Sequence, residues 1–203
     1  MKIICIGQNY RRHIKELGGV VPGKPVFFLK PDTALLKDGN PFFMPSFSND
    51  LHHEVELVFR ISRLGKSIPE KFAGRYYREV TLGIDFTARD LQRHCKENGL
   101  PWEIAKAFDG SAAIGRFIPL VDLGGTDRLE FWLEINGRMV QQGTGSDMIF
   151  SIDQVISYVS GFITLRTGDL FFTGTPEGVG AVRRGDRLQG YLCGTPVLDF
   201  YVR

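Results

Sequence analysis

Glu54-Val-Glu-Leu-Val-Phe-Arg-Ile61 decides how this chain folds. Val55, Leu57, Phe59 and Ile61 recur at every second position, a period that predicts a β-strand with one continuous apolar face. Glu54, Glu56, Val58 and Arg60 then share the opposite face. Two strand steps separate the two glutamates, so their Cα atoms stand roughly 7 Å apart and both carboxylates project the same way. Like charges so placed repel. Either the face is solvated, with Arg60 as partial counter-charge, or something positive sits between the acids.

A second alternating stretch supplies a third acid. Val80, Leu82, Ile84 and Phe86 form its apolar face, and Asp85 lies on the other face, at the end of the strand and just before a helix. Glu54, Glu56 and Asp85 are three hard oxygen ligands with no thiolate among them, which points to Mg²⁺, with Mn²⁺ or Ca²⁺ as substitutes. His52 and His53 precede Glu54 directly. They are expected as hydrogen-bonding neighbours of the acids rather than as ligands.

The rest of the chain is also rich in short strands, expected around residues 2–6, 26–30, 54–62, 78–86, 129–135, 170–174 and 196–202. Leu129 to Ile135, Asn136-Gly137 and Arg138 to Gln142 form a hairpin signature, because Asn-Gly accepts the positive φ angles of a type I′ turn. Helices are fewer. Ser151-Ile-Asp-Gln154 is a capping box followed by Ile152, Val155, Ile156 and Val159 at helical spacing. A helix is expected to begin at Thr87, with Asp90 completing its cap, and to stop at Asn98-Gly99 before Leu100-Pro101, placing Arg89, Gln92, Arg93 and Lys96 on one face. A third, short helix covers Arg11 to Leu17 and ends at Gly18-Gly19, bringing His13 and Glu16 together three residues apart. The sum is an α+β, β-rich protein.

Composition bounds the function. The chain has 203 residues, 43% of them apolar and 24% charged, an ordinary globular mixture able to bury a core. Turn residues are spread evenly and no repeat or linker breaks the pattern, so residues 1–203 read as one domain. With 25 basic and 23 acidic residues the net charge is only +2 and the basic residues are scattered, which argues against a nucleic-acid or membrane-surface partner. Cys5, Cys95 and Cys193 are odd in number and lack CxxC spacing, so they read as reduced thiols. No signal-like or membrane-spanning run is visible. These features together place the protein in the cytoplasm.

Several segments, in order and spacing, resemble the fumarylacetoacetate hydrolase family, in particular its short members acting on acylpyruvates and oxaloacetate. They are Gly7-Gln-Asn-Tyr-Arg-Arg-His13-Ile-Lys-Glu16, Phe28-Leu-Lys-Pro31, His52-His-Glu-Val-Glu-Leu57, Asp85-Phe-Thr-Ala-Arg-Asp90, Leu100-Pro-Trp-Glu-Ile-Ala-Lys106, Ser146-Asp-Met-Ile-Phe-Ser151 and Thr173-Gly-Thr-Pro-Glu-Gly-Val-Gly180. The resemblance implies a mixed β-sheet roll around a central cavity, a homodimer, and Mg²⁺ held by Glu54, Glu56 and Asp85. It also implies that His13 and Glu16, on a mobile N-terminal helix, close over the substrate and activate water, with Lys106 as a further catalytic group and Arg89, Gln92 and Thr175 binding substrate. Two places depart from the family pattern: Gln8, within Gly-x-Asn-Tyr, and Gln189 to Gly194, which lacks an acidic strand pattern.

The chemistry that follows is enolate stabilisation of a small 2-oxo acid, whose carboxylate and 2-oxo oxygens chelate the metal. The reaction expected first is hydrolytic cleavage of a carbon–carbon bond in an acylpyruvate, with His13 as base. Oxaloacetate decarboxylation and keto–enol tautomerisation are the alternatives that share the same enolate. A non-enzymatic protein holding a structural ion is the remaining class, and it has no use for His13, Glu16 and Lys106 beside the acids.

Overall fold

The computed structural model describes residues 1–37 and 39–203. Among these residues the strands form three sheets, of eight, four and three strands. The largest is mixed: Ile3–Gly7 runs parallel to Leu170–Phe172, whereas Val26–Lys30, Val55–Ile61 and Tyr77–Asp85 pair antiparallel to their neighbours. The β-rich α+β class expected from the sequence is the one observed, as a curled sheet with a few short helices.

Alternation explains why the central strand is buried on both faces. Val55, Leu57, Phe59 and Ile61 enter the main core with Leu82, Ile84 and Phe171. Val58 faces the other way, into a second cluster with Ile3, Cys5, Leu170 and Phe172. The face that carries the glutamates is therefore not a solvated one: Glu54 and Glu56 are both buried. Each fully buried large aliphatic or aromatic side chain contributes about 1.5–3 kcal/mol, and this double burial makes the strand a rigid mount for them.

Register brings the third acid alongside. Val55 pairs with Ile84 and Glu56 with Gly83, and the Asp85 N–H donates to Glu54 O at 2.9 Å. Gly83 is required opposite Glu56, because a Cβ there would lie 2.5 Å from Phe172 Cε1 and 2.8 Å from Ala113 O. A glycine lets the aromatic ring pack directly beneath the acids.

The hairpin forms as expected, with Asn136 at φ 53° and Gly137 at φ 75° between Glu130–Ile135 and Arg138–Thr144. The capping box of Ser151 and Gln154 is present and opens Ile152–Phe162, whose Ile152, Val155, Ile156 and Val159 are buried. The helix after Asp85 departs from expectation at its start. Thr87 and Ala88 form a short strand, the helix spans Arg89–Asn98, and no side chain caps it. Thr87 Oγ1 instead takes a hydrogen bond from Lys106 Nζ at 2.6 Å, and Asp90 turns back to Ser48 Oγ at 2.7 Å and the Asn49 N–H at 3.0 Å. Its other end is as expected, with Gly99 left-handed at φ 63°. Among the described residues no helix is long and apolar enough to cross a membrane.

Candidate metal centre and substrate cavity

The three acids converge. Glu54, Glu56 and Asp85 each offer an oxygen, these atoms lie within 4.8 Å of one another, and all three residues are buried. Cations surround them. Lys106 Nζ donates to Glu54 Oε2 at 2.8 Å, to Asp85 Oδ2 at 2.8 Å and to Thr87 Oγ1, which commits all three of its protons. Arg89 donates through one terminal nitrogen to Glu54 Oε1 and through the other to Gln92 Oε1. Lys30, fully buried, donates to Ser111 O and Oγ and approaches Asp85 Oδ1 to 2.7 Å.

The electrostatic state of each group follows from its company. Burial opposes the charge on Glu54, but Lys106 and Arg89 outweigh it and hold the carboxyl far below its usual range. Burial lowers Lys106 as well, and Asp85 and Glu54 more than restore it, so it stays charged. Glu56 is the exception. Burial first, then Asp85 and Glu54, push its carboxyl well up, and the 2.7 Å hydrogen bond from the Gly174 N–H offsets only part of this. Gly174 makes that contact at φ 96°, where a Cβ would come within 2.8 Å of Asn9 Cβ.

The arrangement fits a divalent cation. Asp85 Oδ1 is buried and has Lys30 as an ion-pair neighbour, yet it accepts no hydrogen bond of proper geometry. Among the described residues Glu56 has no ion-pair partner of its own. The three carboxylates directly contact three cations, Lys30, Arg89 and Lys106, so a hard divalent ion would leave this cluster net positive and suited to an anionic ligand. The site thus suits a hard ion on carboxylate oxygens, without selecting among Mg²⁺, Mn²⁺ and Ca²⁺.

These groups wall a cavity of about 90 Å³. Eight of the nine residues singled out from the sequence line it: His13, Glu54, Glu56, Asp85, Arg89, Gln92, Lys106 and Thr175. Glu16 stands just outside, at the mouth, where its Oε2 meets His13 Nδ1 at 3.0 Å and its Oε1 accepts from the Gly178 N–H at 3.1 Å. Thr175 is on the wall, but its hydroxyl already donates to Val55 O and accepts from Gln141 Nε2. Arg93 shares the expected helix face with Arg89, Gln92 and Lys96 at an outer cleft but does not line the cavity, and its guanidinium lies 3.6 Å from Asp50. Larger clefts, of about 450 and 570 Å³, lie elsewhere and gather no comparable set of carboxylates.

Three positions without an assigned role from sequence hold the site together. Lys30 is one. Gln141 is another: its Oε1 accepts from His53 Nδ1 at 2.8 Å and the Val55 N–H at 3.0 Å, while its Nε2 reaches Thr175 and Pro176 O. That fixes the His53 proton on Nδ1 and keeps the ring, whose basicity burial lowers, as a structural neighbour of Glu54. His52 is likewise held by Asp50. Asn9 is the third, tying its own turn to Phe150 and Thr173 through three hydrogen bonds. Of the two departures, Gln8 lines the cavity at φ 59°, whereas Gln189 to Leu192 lie in the strand Arg187–Leu192 of the four-stranded sheet, apart from the cavity lining.

Comparison with known proteins agrees with this geometry. Residues 2–202 match the family described as fumarylacetoacetate (FAA) hydrolase C-terminal. A rat protein (Rattus norvegicus) named as a mitochondrial oxaloacetate tautomerase is 45% identical over 200 residues, covering 98% of this chain and 90% of the relative. A Dictyostelium discoideum protein named as a mitochondrial oxaloacetate decarboxylase is 41% identical over 199 residues, covering 98% and 90%. The crystal structure of fumarylpyruvate hydrolase from Pseudomonas aeruginosa in complex with Mn²⁺ and pyruvate superposes with a TM-score of 0.94 at 39% identity, covering all of this chain and 89% of that one. The names of both curated relatives include mitochondrial, which corrects the cytoplasmic placement drawn from thiols and a missing signal. Fold, site geometry and sequence similarity lead to one conclusion: the chain belongs to the fumarylacetoacetate hydrolase family, a family of enzymes.

Proposed function

We propose that the chain interconverts the keto and enol forms of a small 2-oxo diacid of the oxaloacetate type. The observation that carries this reading is the enclosure of Glu54, Glu56, Asp85, Lys106 and Arg89 in one small cavity with His13 on its wall. A divalent ion, when bound there, supplies Lewis-acid charge at the 2-oxo oxygen. Arg89 and Lys106 add fixed positive charge around the oxygens that become negative as an enolate forms. His13, held at Nδ1 by Glu16, keeps Nε2 free to take a proton from C3 and to return it. Ile14 and Leu17, on and just after the same short helix, present apolar groups to the cavity and exclude water from the enolate.

Acylpyruvate hydrolysis, the reaction expected first from the sequence, becomes the second reading. The likeness to fumarylpyruvate hydrolase favours it, as does the His13–Glu16 pair, which suits water activation equally well. Tautomerisation is preferred because it needs only proton movement at C3 and because a 45% identical relative carries that name. The test is to follow enol-oxaloacetate conversion and the cleavage of acetylpyruvate and fumarylpyruvate side by side, with Mg²⁺ or Mn²⁺ supplied. The reading requires the largest kcat/KM for enol-oxaloacetate. Faster cleavage of either acylpyruvate overturns it.

A further inference from the structure

The helix Arg89–Asn98 presents three residues to the cavity at helical spacing, Arg89, Gln92 and Lys96. Their donors are unevenly used. Arg89 Nε is buried without a partner. Gln92 Oε1 accepts from Arg89, and its amide hydrogens meet no acceptor among the described residues. The Lys96 ammonium forms no ion pair or hydrogen bond among the described residues either. Its Nζ stands 5.5 Å from the centroid of the Trp102 ring, on the cavity wall.

These contacts order the cavity from end to end. Lys106 Nζ, among the acids, lies 5.5 Å from the Phe28 ring centroid; Phe28 meets Trp102 edge-on at 5.9 Å; and Lys96 lies over Trp102. The acidic cluster and Lys96 are thus connected along one aromatic wall of the cavity. Lys96 also borders the outer cleft that Glu16 and His52 line. Partial desolvation and the neighbouring Arg89 make the charge of this exposed side chain less favourable in the free protein, and Glu54 offsets only part of this.

We propose that Lys96 determines specificity for a second carboxylate: its ammonium, with the Gln92 amide beside it, receives the distal carboxylate of a diacid whose 2-oxo acid end lies among Glu54, Glu56 and Asp85. This rests on the diacid reading above and names the residue that selects for it. The competing role is structural, a cation in the last helical turn opposing the helix dipole.

Malate and lactate separate these roles, because both are 2-hydroxy acids that are not turned over by enolisation and they differ only in the distal carboxylate. Calorimetric titration of the Mn²⁺-loaded protein is expected to show wild type favouring malate by roughly tenfold or more, the worth of a charge-assisted hydrogen bond. Lys96→Met should abolish most of that preference while leaving lactate affinity and the unfolding midpoint of the ligand-free protein unchanged, and Lys96→Arg should retain the preference. A preference that survives in Lys96→Met overturns the assignment and leaves the diacid reading standing. So does an equal weakening of both ligands, or a lowered midpoint with the preference intact. A wild type that binds malate no better than lactate overturns the diacid reading itself, and the role of Lys96 with it.

Discussion

The two halves of the site are built to different tolerances. Glu56 and Asp85 project from adjacent strands whose pairing is unbroken from Val55 to Arg60 and buried on both faces, and their positions are fixed by the sheet. His13 projects from a six-residue helix whose N-cap, Tyr10, makes no side-chain capping bond. A helix that short has no independent stability. It is held over the cavity by Glu16 on the Gly178 N–H and by the exposed pair of Arg12 and Glu177 at 3.2 Å. Charge must be placed before substrate arrives, and the sheet does that. Proton transfer needs a group that can admit and release substrate, and a lightly latched helix suits it.

The largest effect is expected from Asp85→Asn, which breaks the strand-mounted half. Lys30 and Lys106 would each lose a buried anionic partner. Removing one partner of a buried pair costs about 3–5 kcal/mol, so urea unfolding should show a loss of that order together with loss of turnover. Unchanged unfolding would mean the two lysines are compensated elsewhere.

Glu56→Gln should behave in the opposite way on stability. Burial, Asp85 and Glu54 all disfavour the Glu56 charge, and no cation pairs with it. Neutralising it should leave the metal-free protein at least as stable as wild type, while activity and the rise in unfolding temperature on adding Mg²⁺ or Mn²⁺ both disappear. A retained metal-dependent rise would remove Glu56 from the ligand set.

The helix-borne half is tested by His13→Gln and Glu16→Gln. His13→Gln should lower tautomerisation by about 10²-fold to 10⁴-fold, the usual range for a positioned acid–base group, and Glu16→Gln should follow in direction with a smaller factor. Neither should alter the metal-induced shift in unfolding temperature. Should either abolish that shift, the two halves are not separable and the comparison fails.

How much of this was legible in the sequence depends on the range of each interaction. Strand alternation, the Asn136-Gly137 turn and the Ser151–Gln154 box are local, and all three appear in the structure. Thr87 as a helix start was misleading because a lysine 19 residues away claims its hydroxyl. Lys30, Gln141 and Asn9 found their partners 81, 88 and 164 residues along the chain, beyond any local pattern. Lys30 did leave one sign: it ends an apolar strand just before Pro31, in register with Ile3, on the face that lies under the acids. The family-like segment around Asn9 is explained by its bonds to two of the other such segments, at Phe150 and Thr173.

The smallest effect concerns Asp90, which joins the segment before the acids to the helix that carries Arg89 and Gln92. Burial works against its charge, but hydrogen bonds from Ser48 Oγ and from the Asn49 and Leu91 N–H groups outweigh it and hold the carboxyl below its ordinary value. A depressed folded-state pKa contributes stability that is present above the unfolded value, about 4 for an aspartate, and that is lost as pH falls through the folded one. Asp90→Asn should therefore unfold at a lower temperature than wild type at neutral pH, and the gap should close as the pH falls below the ordinary aspartate value. Every other carboxylate titrates alike in both proteins, so the difference between the two unfolding curves isolates this residue. The group is only half-buried, which keeps the effect below those of the buried acids. A gap that stays constant from neutral to acidic pH would show that Asp90 acts through its shape and not its charge, and the helix would then be anchored to the strand-mounted half by packing alone.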